Sequence, residues 1–337
     1  MKRPTMKDVA RAAGVSPMTV SRVVSGEPGV SPSTAARVER AVRKLGYQRN
    51  DNARHLRQKN LGTSTIGLVV DDLANPFYAL MARSVEDEAH RRGYVVLVGS
   101  TNDEPHRERE VIAAFTARQV DGLILVPTIG SHGFLKQPMA AGTQVVCVDR
   151  PADGLEVDTV TVDNQAGAQR AVTHLLGHGH TRIAYLGDRY DIWTQAERFA
   201  GYRDALAAHG LPIDETLVRH GLRTRKSAGA AVASLRDLPD PPTALFTSND
   251  LITLGVLDAG HTTPLALVGF DDLPLAERLD PPLTVVSQDP VALGGTAANV
   301  LFSRIAGDHS APRSVVLLTR FIVRESGEKR VRMASKR

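Results

Sequence analysis

From residue 65 onwards, short apolar runs alternate with stretches of helical periodicity, and no other feature of the sequence limits the fold so strongly. Residues 65–70, 95–98, 122–126 and 145–148 are rich in valine, isoleucine and leucine, and amphipathic stretches near 78–92 and 105–118 lie between them. The rhythm resumes after Asp163, with further apolar runs at 183–186, 244–246 and 265–268. A strand that is apolar on both faces must be covered on both faces, and a helix after each strand supplies the cover. The pattern predicts an α/β fold of parallel sheets flanked by helices. About 260 residues of it exceed what one small sheet can use, so two lobes are expected.

Polar side chains gather where the apolar runs end. Asp71, Asp72 and Asn75 follow the first, Asp149 and Arg150 the fourth, and Asp188 the run at 183–186. Asn249 and Asp250 follow 244–246, and Asp271 and Asp272 follow 265–268. Open α/β sheets bind ligands at the carboxyl ends of their strands. A single Asp or Asn there can equally be a helix cap, but their number points to a polar, hydrogen-bonding cleft.

Residues 1–60 differ in character from the rest. They hold 13 lysines and arginines against four acids, Asp8, Glu27, Glu39 and Asp51, whereas the remainder holds 28 against 33. A basic head on a mildly acidic body is the charge distribution of a nucleic-acid-binding module joined to something else. Val9, Ala12 and Ala13 recur at helical spacing and stop at Gly14. Ser16 is placed to cap a second helix that starts at Pro17. In that helix Val20, Val23 and Val24 share one face, while Pro17, Met18, Ser21, Arg22 and Ser25 share the other, which has no apolar reason to exist. Ser31 and Pro32 open a third helix with Val38, Ala41, Val42 and Leu45 inward, and Gly46 ends it. Two short helices around a glycine turn, the second showing polar groups and an arginine, describe a helix-turn-helix rather than a structural bundle.

The run MKDVARAAGVSPMTVSRVVSGEPGVSPSTAARVERAVRKLGY at 6–47 resembles the DNA-binding head of the lac repressor family almost position by position. The likeness continues through IGLVVDDLANPFY at 66–78, VDGLILVP at 120–127, HLLGHGHTRIAYLG at 174–187, TSNDLITLGVL at 247–257, VGFDDLPLAERLDPPLTVVSQD at 268–289 and VRES at 323–326. It implies a three-helix head over 1–48, a hinge helix and linker over 49–62, and a periplasmic-binding-protein-like, two-lobed effector core over 63–330. Lobe 1 would take about 63–162 and 290–318, lobe 2 about 163–287 and 319–330, with a basic tail at 331–337. Three strands would cross between lobes near Val162, Ser287–Pro290 and Arg320.

Further implications concern single residues. Pro17, Met18 and Arg22 would face base edges in the major groove, Arg22 addressing guanine O6 and N7 with its fork. Thr19, Ser21 and Ser31 would lie near phosphates, and Thr5 and Ser16 complete that set. Residues 50–57 read either as a linker or as a helix too short to hold alone, capped by Asn50. The resemblance makes them a hinge that folds on DNA, with Ala53 and Arg54 matching and Leu56 entering the minor groove. The effector shell would comprise Asp72, Asn75, Phe77, Asp149, Thr194, Arg198, Asn249, Asp271 and Gln288. Carboxylates, amides, a guanidinium and an aromatic ring suit a hydroxylated ligand such as a sugar. Trp193, expected on a loop, is either a platform for that ligand or packing between lobes. Asp71 stands where proline is common in the family.

Other classes find little support. No Gly-x-Ser-x-Gly occurs, and Gly177-His178-Gly179 lacks the third glycine of a dinucleotide loop. His174 and His178 are spaced i, i+4, but His178-Gly179-His180 falls at a helix end, so no metal site, cofactor or catalysis is expected. The one cysteine, Cys147, lies in an apolar run and cannot build a disulfide framework within the chain. There is neither the apolar core of a signal peptide nor a run of about 20 apolar residues to span a bilayer. This and the basic head count against a secreted solute-binding protein. The expectation is a cytoplasmic, homodimeric, ligand-responsive regulator that binds duplex operator DNA, a repressor of carbohydrate-related genes without membrane contact.

Overall fold

The computed structural model describes residues 4–47, 62–260 and 265–329, and the chain divides into two units, Met1–Thr63 and Ser64–Arg337. Asn50, Ala53, Arg54 and Leu56, the hinge they belong to, and the tail at 331–337 lie outside the described residues.

The first unit contains α1 (Met6–Ala13), α2 (Pro17–Val24) and α3 (Pro32–Leu45). Each begins with a polar side chain that occupies groups the first turn leaves unpaired. The Asp8 carboxylate accepts from the Thr5 backbone N–H at 2.8 Å, Ser16 Oγ accepts from the Thr19 N–H at 3.1 Å, and Ser31 Oγ from the Thr34 N–H at 3.3 Å. Gly14 and Gly46 end α1 and α3 in the left-handed conformation, at φ 62° and 61°, which costs a glycine nothing. Val9, Ala10, Ala13, Val20, Val38 and Ala41 form the core, edged by Val15, Val23, Val24, Val42 and Leu45. Ala12 was expected inside and is exposed; the inward face of α1 runs along Val9, Ala10 and Ala13 instead.

The second unit is two sheets of six strands each. In chain order its elements are β1 (Thr65–Val70), α4 (Pro76–Arg91), β2 (Val95–Ser100), α5 (Pro105–Ala117), β3 (Gly122–Leu125), α6 (Lys136–Ala140), β4 (Gln144–Val148), β5 (Asp158–Val162), α7 (Asn164–Gly177), β6 (Ile183–Leu186), α8 (Trp193–Ala208), β7 (Val218–Arg219), α9 (Arg225–Arg236), β8 (Ala244–Thr247), α10 (Asp250–Asp258), β9 (Ala266–Phe270), β10 (Thr284–Ser287), α11 (Pro290–Ile305), β11 (Ser314–Leu317) and β12 (Arg320–Ile322). The first sheet runs β11-β5-β4-β3-β1-β2 and is parallel throughout. The second runs β12-β10-β9-β8-β6-β7 and is parallel except for β12, which lies antiparallel to β10. Apolar clusters cover both faces of each sheet, as the predominantly apolar inner strands require. Close helix packing depends on Gly201 in α8, where a Cβ would come within 2.1 Å of the Gln165 carbonyl on α7.

The chain crosses between lobes three times: from β5 to α7, from β10 to α11, and from β11 to β12. Two crossings are fastened to each other. The Asp163 carboxylate accepts from the Thr319 N–H at 2.6 Å and from both terminal nitrogens of Arg170 at 3.1 and 3.0 Å. Arg170 also donates to the Thr319 carbonyl at 3.2 Å. Cys147 is buried in β4, where burial pushes its thiol up to about 12 and keeps it inert. No helix among the described residues is long and apolar enough to cross a membrane.

Candidate functional site

The carboxyl ends of the strands in both lobes line one cleft of about 410 Å³, a volume within the range of small-molecule sites. At matching places in the two sheets, Asp149 follows β4 and Asp271 follows β9, each in the left-handed region at φ 71° and 78°. Each is pinned by its N–H, which donates to the Val160 carbonyl at 2.9 Å or the Val286 carbonyl at 2.8 Å. Non-glycine residues persist there only where their surroundings fix them, and both carboxylates line the cleft.

In lobe 1 a buried guanidinium organises the acids. Arg150 lies 3.1 Å from Asp103, 3.5 Å from Asp149 and 4.0 Å from Asp71. Burial opposes its charge, but Tyr78, Asp149, Asp103 and Asp71 outweigh that effect, and its pKa is raised. Asp71 is pushed up to about 6 by burial, with Arg150 opposing the shift. Tyr78 completes the group, its hydroxyl 3.5 Å from Asp149, and Phe77 packs edge-on against it at 5.1 Å between ring centroids.

Arg198 has the corresponding role in lobe 2. Rising from α8, it donates to the Ser248 carbonyl at 2.6 Å and to Asn164 Oδ1 at 2.8 Å. It lies 3.8 Å over the Phe270 ring and 3.9 Å from the Asp271 carboxylate. Burial pushes Asp271 up to about 6, against the pull of Arg198, and Asp250 also raises it. Gln288, at the second crossing, donates to Asp271, while its Oε1 is buried with no hydrogen-bond partner among the described residues. The lobes also touch directly. Asn75 donates to Asp250 at 3.2 Å, and Asp103 lies 3.5 Å from Arg189 and 3.8 Å from Arg223.

Of the expected effector residues, Asp72, Asn75, Phe77, Asp149, Thr194, Arg198, Asn249, Asp271 and Gln288 line the cleft. Asn75 and Asn249 also cap helices, accepting from the Phe77 N–H at 2.8 Å and the Ile252 N–H at 2.9 Å. Trp193 is a correction. It is half-buried as the first residue of α8 rather than on a loop, and it is not among the lining residues. Among the strand-end groups, Asp71, Arg150, Asp188 and Asp250 join the lining, whereas Asp272 does not and is paired with Arg324 at 2.9 Å. Asp103 and Gln195 escaped sequence reasoning. Gln195 accepts from Ser248 Oγ and from the Asp188 N–H, so it positions the lining of lobe 2.

In the first unit, Thr5, Ser16, Pro17, Met18, Arg22 and Ser31 are exposed, and Thr19 and Ser21 are half-buried. Met18 is 68% exposed, a large apolar side chain that the domain's own core does not use. The Arg22 side chain has no hydrogen bond or ion pair among the described residues. Its guanidinium is thus available to a partner outside the unit.

Two family descriptions match the chain: bacterial regulatory proteins of the lacI family over residues 5–50, and a periplasmic binding protein-like domain over residues 172–327. The chain is 36% identical over 340 residues to the HTH-type transcriptional regulator CelR of Thermobifida fusca, covering 97% of this chain and 99% of that protein. It is 32% identical to the HTH-type transcriptional repressor CytR of Escherichia coli (strain K12), covering 96% of each. Among solved structures, a transcriptional regulator CelR–cellobiose complex aligns with a TM-score of 0.70 at 34% identity, over 96% of this chain and 100% of that one. The lac repressor dimer bound to operator and the anti-inducer ONPF aligns with a TM-score of 0.81 at 26% identity, over 97% and 99%.

Proposed function

The chain belongs to the lacI family of bacterial regulatory proteins, ligand-responsive regulators that bind DNA, and on that premise we propose that it is a cytoplasmic repressor of carbohydrate-related genes. Its effector is a sugar held in the cleft between the lobes. The observation that carries this reading is the chemistry of the lining. Carboxylates of Asp72, Asp149 and Asp271, amides of Asn75, Asn249 and Gln288, and the Arg198 guanidinium surround the space, with the Phe77 ring beside them. Such a set satisfies hydroxyl groups as both donors and acceptors. A relative of similar length is a complex with cellobiose, so a short β-glucoside is the first candidate.

On the DNA side, α2 lies in the major groove. Pro17, Met18 and Arg22 meet base edges, and Thr5, Ser16, Thr19, Ser21 and Ser31 lie along the backbone. Asn50, Ala53, Arg54 and Leu56 belong to a hinge that folds on DNA. A second copy docks on lobe 1, where α4 packs on β2 and α11 and leaves Leu80, Val95 and Val291 at least half exposed. Two heads then read two half-sites related by the dimer axis.

Selection of duplexes from a random pool with the full-length chain tests the reading. A near-palindromic sequence should be enriched, and cellobiose or another sugar should change the affinity for it. Enrichment of no sequence would refute the assignment of α2, and indifference to every sugar would refute the effector class.

A further inference from the structure

Helix α7 carries His174 in its last turn and is capped by His178 one turn on, which places both rings on the same side, with centroids 4.5 Å from each other. The last described segment of the chain brings Glu328 against them. Its Oε1 lies 2.7 Å from His174 Nε2 and its Oε2 lies 3.1 Å from His178 Nε2. Phe321 meets the His174 ring edge-on at 5.0 Å and fixes its plane.

Within the cluster, His178 is held from both sides. His178 Nδ1 lies 2.9 Å from the His174 carbonyl, a group that only accepts, so Nδ1 carries the proton. On the other side of the ring, Nε2 lies within hydrogen-bond distance of Glu328 Oε2, at 3.1 Å. His174 Nε2 is buried beside Glu328 Oε1, 2.7 Å away. Two imidazole nitrogens and a carboxylate thus converge, with one ligand atom of each within 4.8 Å of the others.

We propose that His174, His178 and Glu328 form a binding site for a divalent transition-metal ion of the zinc type. Two imidazoles and one carboxylate are ligands that zinc prefers, whereas magnesium and calcium favour oxygen alone. Around zinc at bond lengths of about 2.1 Å, tetrahedral donors stand about 3.4 Å apart. The donor atoms here already lie within 4.8 Å of one another, so small side-chain rotations complete the site, with water as the fourth ligand. His180, the other histidine of the run, is engaged by Thr243 at 2.9 Å and the Lys329 carbonyl at 2.6 Å and stays outside. The sequence offered only the two histidines, beside a helix end, and Glu328, 150 residues from His178, joins them only in the fold. The cluster lies at the opposite end of α7 from Asn164, which touches Arg198, about 15 Å along the helix. It is thus separate from the cleft. Bound metal bolts residues 324–329 to α7.

The test uses the full chain without a polyhistidine tag, stripped with a chelator and titrated with zinc against a chromophoric competitor. The expected result is one zinc per chain. Cobalt should give the visible absorption of a four- or five-coordinate site, and zinc but not magnesium should raise the melting temperature. Glu328→Gln and His174→Asn should each weaken zinc binding at least tenfold. In the unmutated chain, zinc should slow amide exchange across 324–329, a readout that does not depend on a variant folding. No stoichiometric zinc, equal binding by both folded variants, or unchanged exchange across 324–329 would overturn the proposal and leave an ordinary imidazolium–carboxylate pair.

Discussion

Replacing Asp271 by Asn separates what the cleft does for binding from what it does for stability. Burial pushes this carboxyl from 3.8 up to about 6. The native state therefore binds more protons than the unfolded chain between pH 4 and 6, and stability falls as pH rises through that window. At about 1.4 kcal/mol per pKa unit, ionised Asp271 costs the native state on the order of 3 kcal/mol at pH 7 and about half of that at pH 5. Asn removes the charge but keeps the acceptor for Gln288, and it tolerates the left-handed backbone at φ 78°. Little is lost at Arg198, which at 3.9 Å is beyond hydrogen-bond length. Urea melts should show Asp271→Asn more stable than the parent by up to about 3 kcal/mol at pH 7, with the gap roughly halved at pH 5. Calorimetry with the active sugar should show affinity lowered about 10- to 150-fold, the loss of one charge-assisted hydrogen bond of about 1.5–3 kcal/mol. A variant less stable than the parent at pH 7, or a gap that does not change with pH, would refute the reasoning.

Arg22→Ala should cost about 1–3 kcal/mol on the selected operator and little on random duplex, by fluorescence anisotropy at fixed salt; equal loss on both would reduce Arg22 to a phosphate contact. Leu56→Ala should weaken operator binding and reduce DNA bending on circular-permutation gels, with sugar affinity of the free protein nearly unchanged. Amide exchange at 50–57 should be fast without DNA and slow with it, and protection before DNA is added would exclude coupled folding. Gly201→Ala should destabilise the second unit by about 3 kcal/mol in thermal melts, because its Cβ meets the Gln165 carbonyl rather than a movable side chain. An unchanged melt would mean that α7 and α8 can separate at little cost.

The three helices of the first unit were legible because each carries its own start signal and two end on a left-handed glycine. The apolar runs likewise gave away inner strands, since β1, β4 and β6 are apolar but for Thr65 and Gln144 at the starts of the first two and the Tyr185 hydroxyl in the third. Strands β5 and β10 to β12 were visible only through the family resemblance. Asp158–Val162 alternates threonine with valine, and one of its two neighbours is β11, whose Ser314 pairs with Thr159. Trp193 was misplaced because α8 opens after Ile192, whose side chain cannot cap. The grouping around Arg150 depends on packing alone. Asp71, Asp103 and Asp149 follow β1, β2 and β4, and nothing in their spacing reveals that one guanidinium will serve all three.

The fastening of two crossings by Asp163, Arg170 and Thr319 has a mechanical consequence. Strands tied side by side cannot slide past each other, so relative motion of the lobes reduces to rotation about an axis through the crossings. Gln288 sits on the remaining crossing, from β10 to α11, and touches Asp271 in the cleft. A ligand bound there pushes close to the pivot, like a hand on the short arm of a lever. Displacement grows with distance from the axis, so a slight angular change at Gln288 becomes a large travel at the far margins of both lobes.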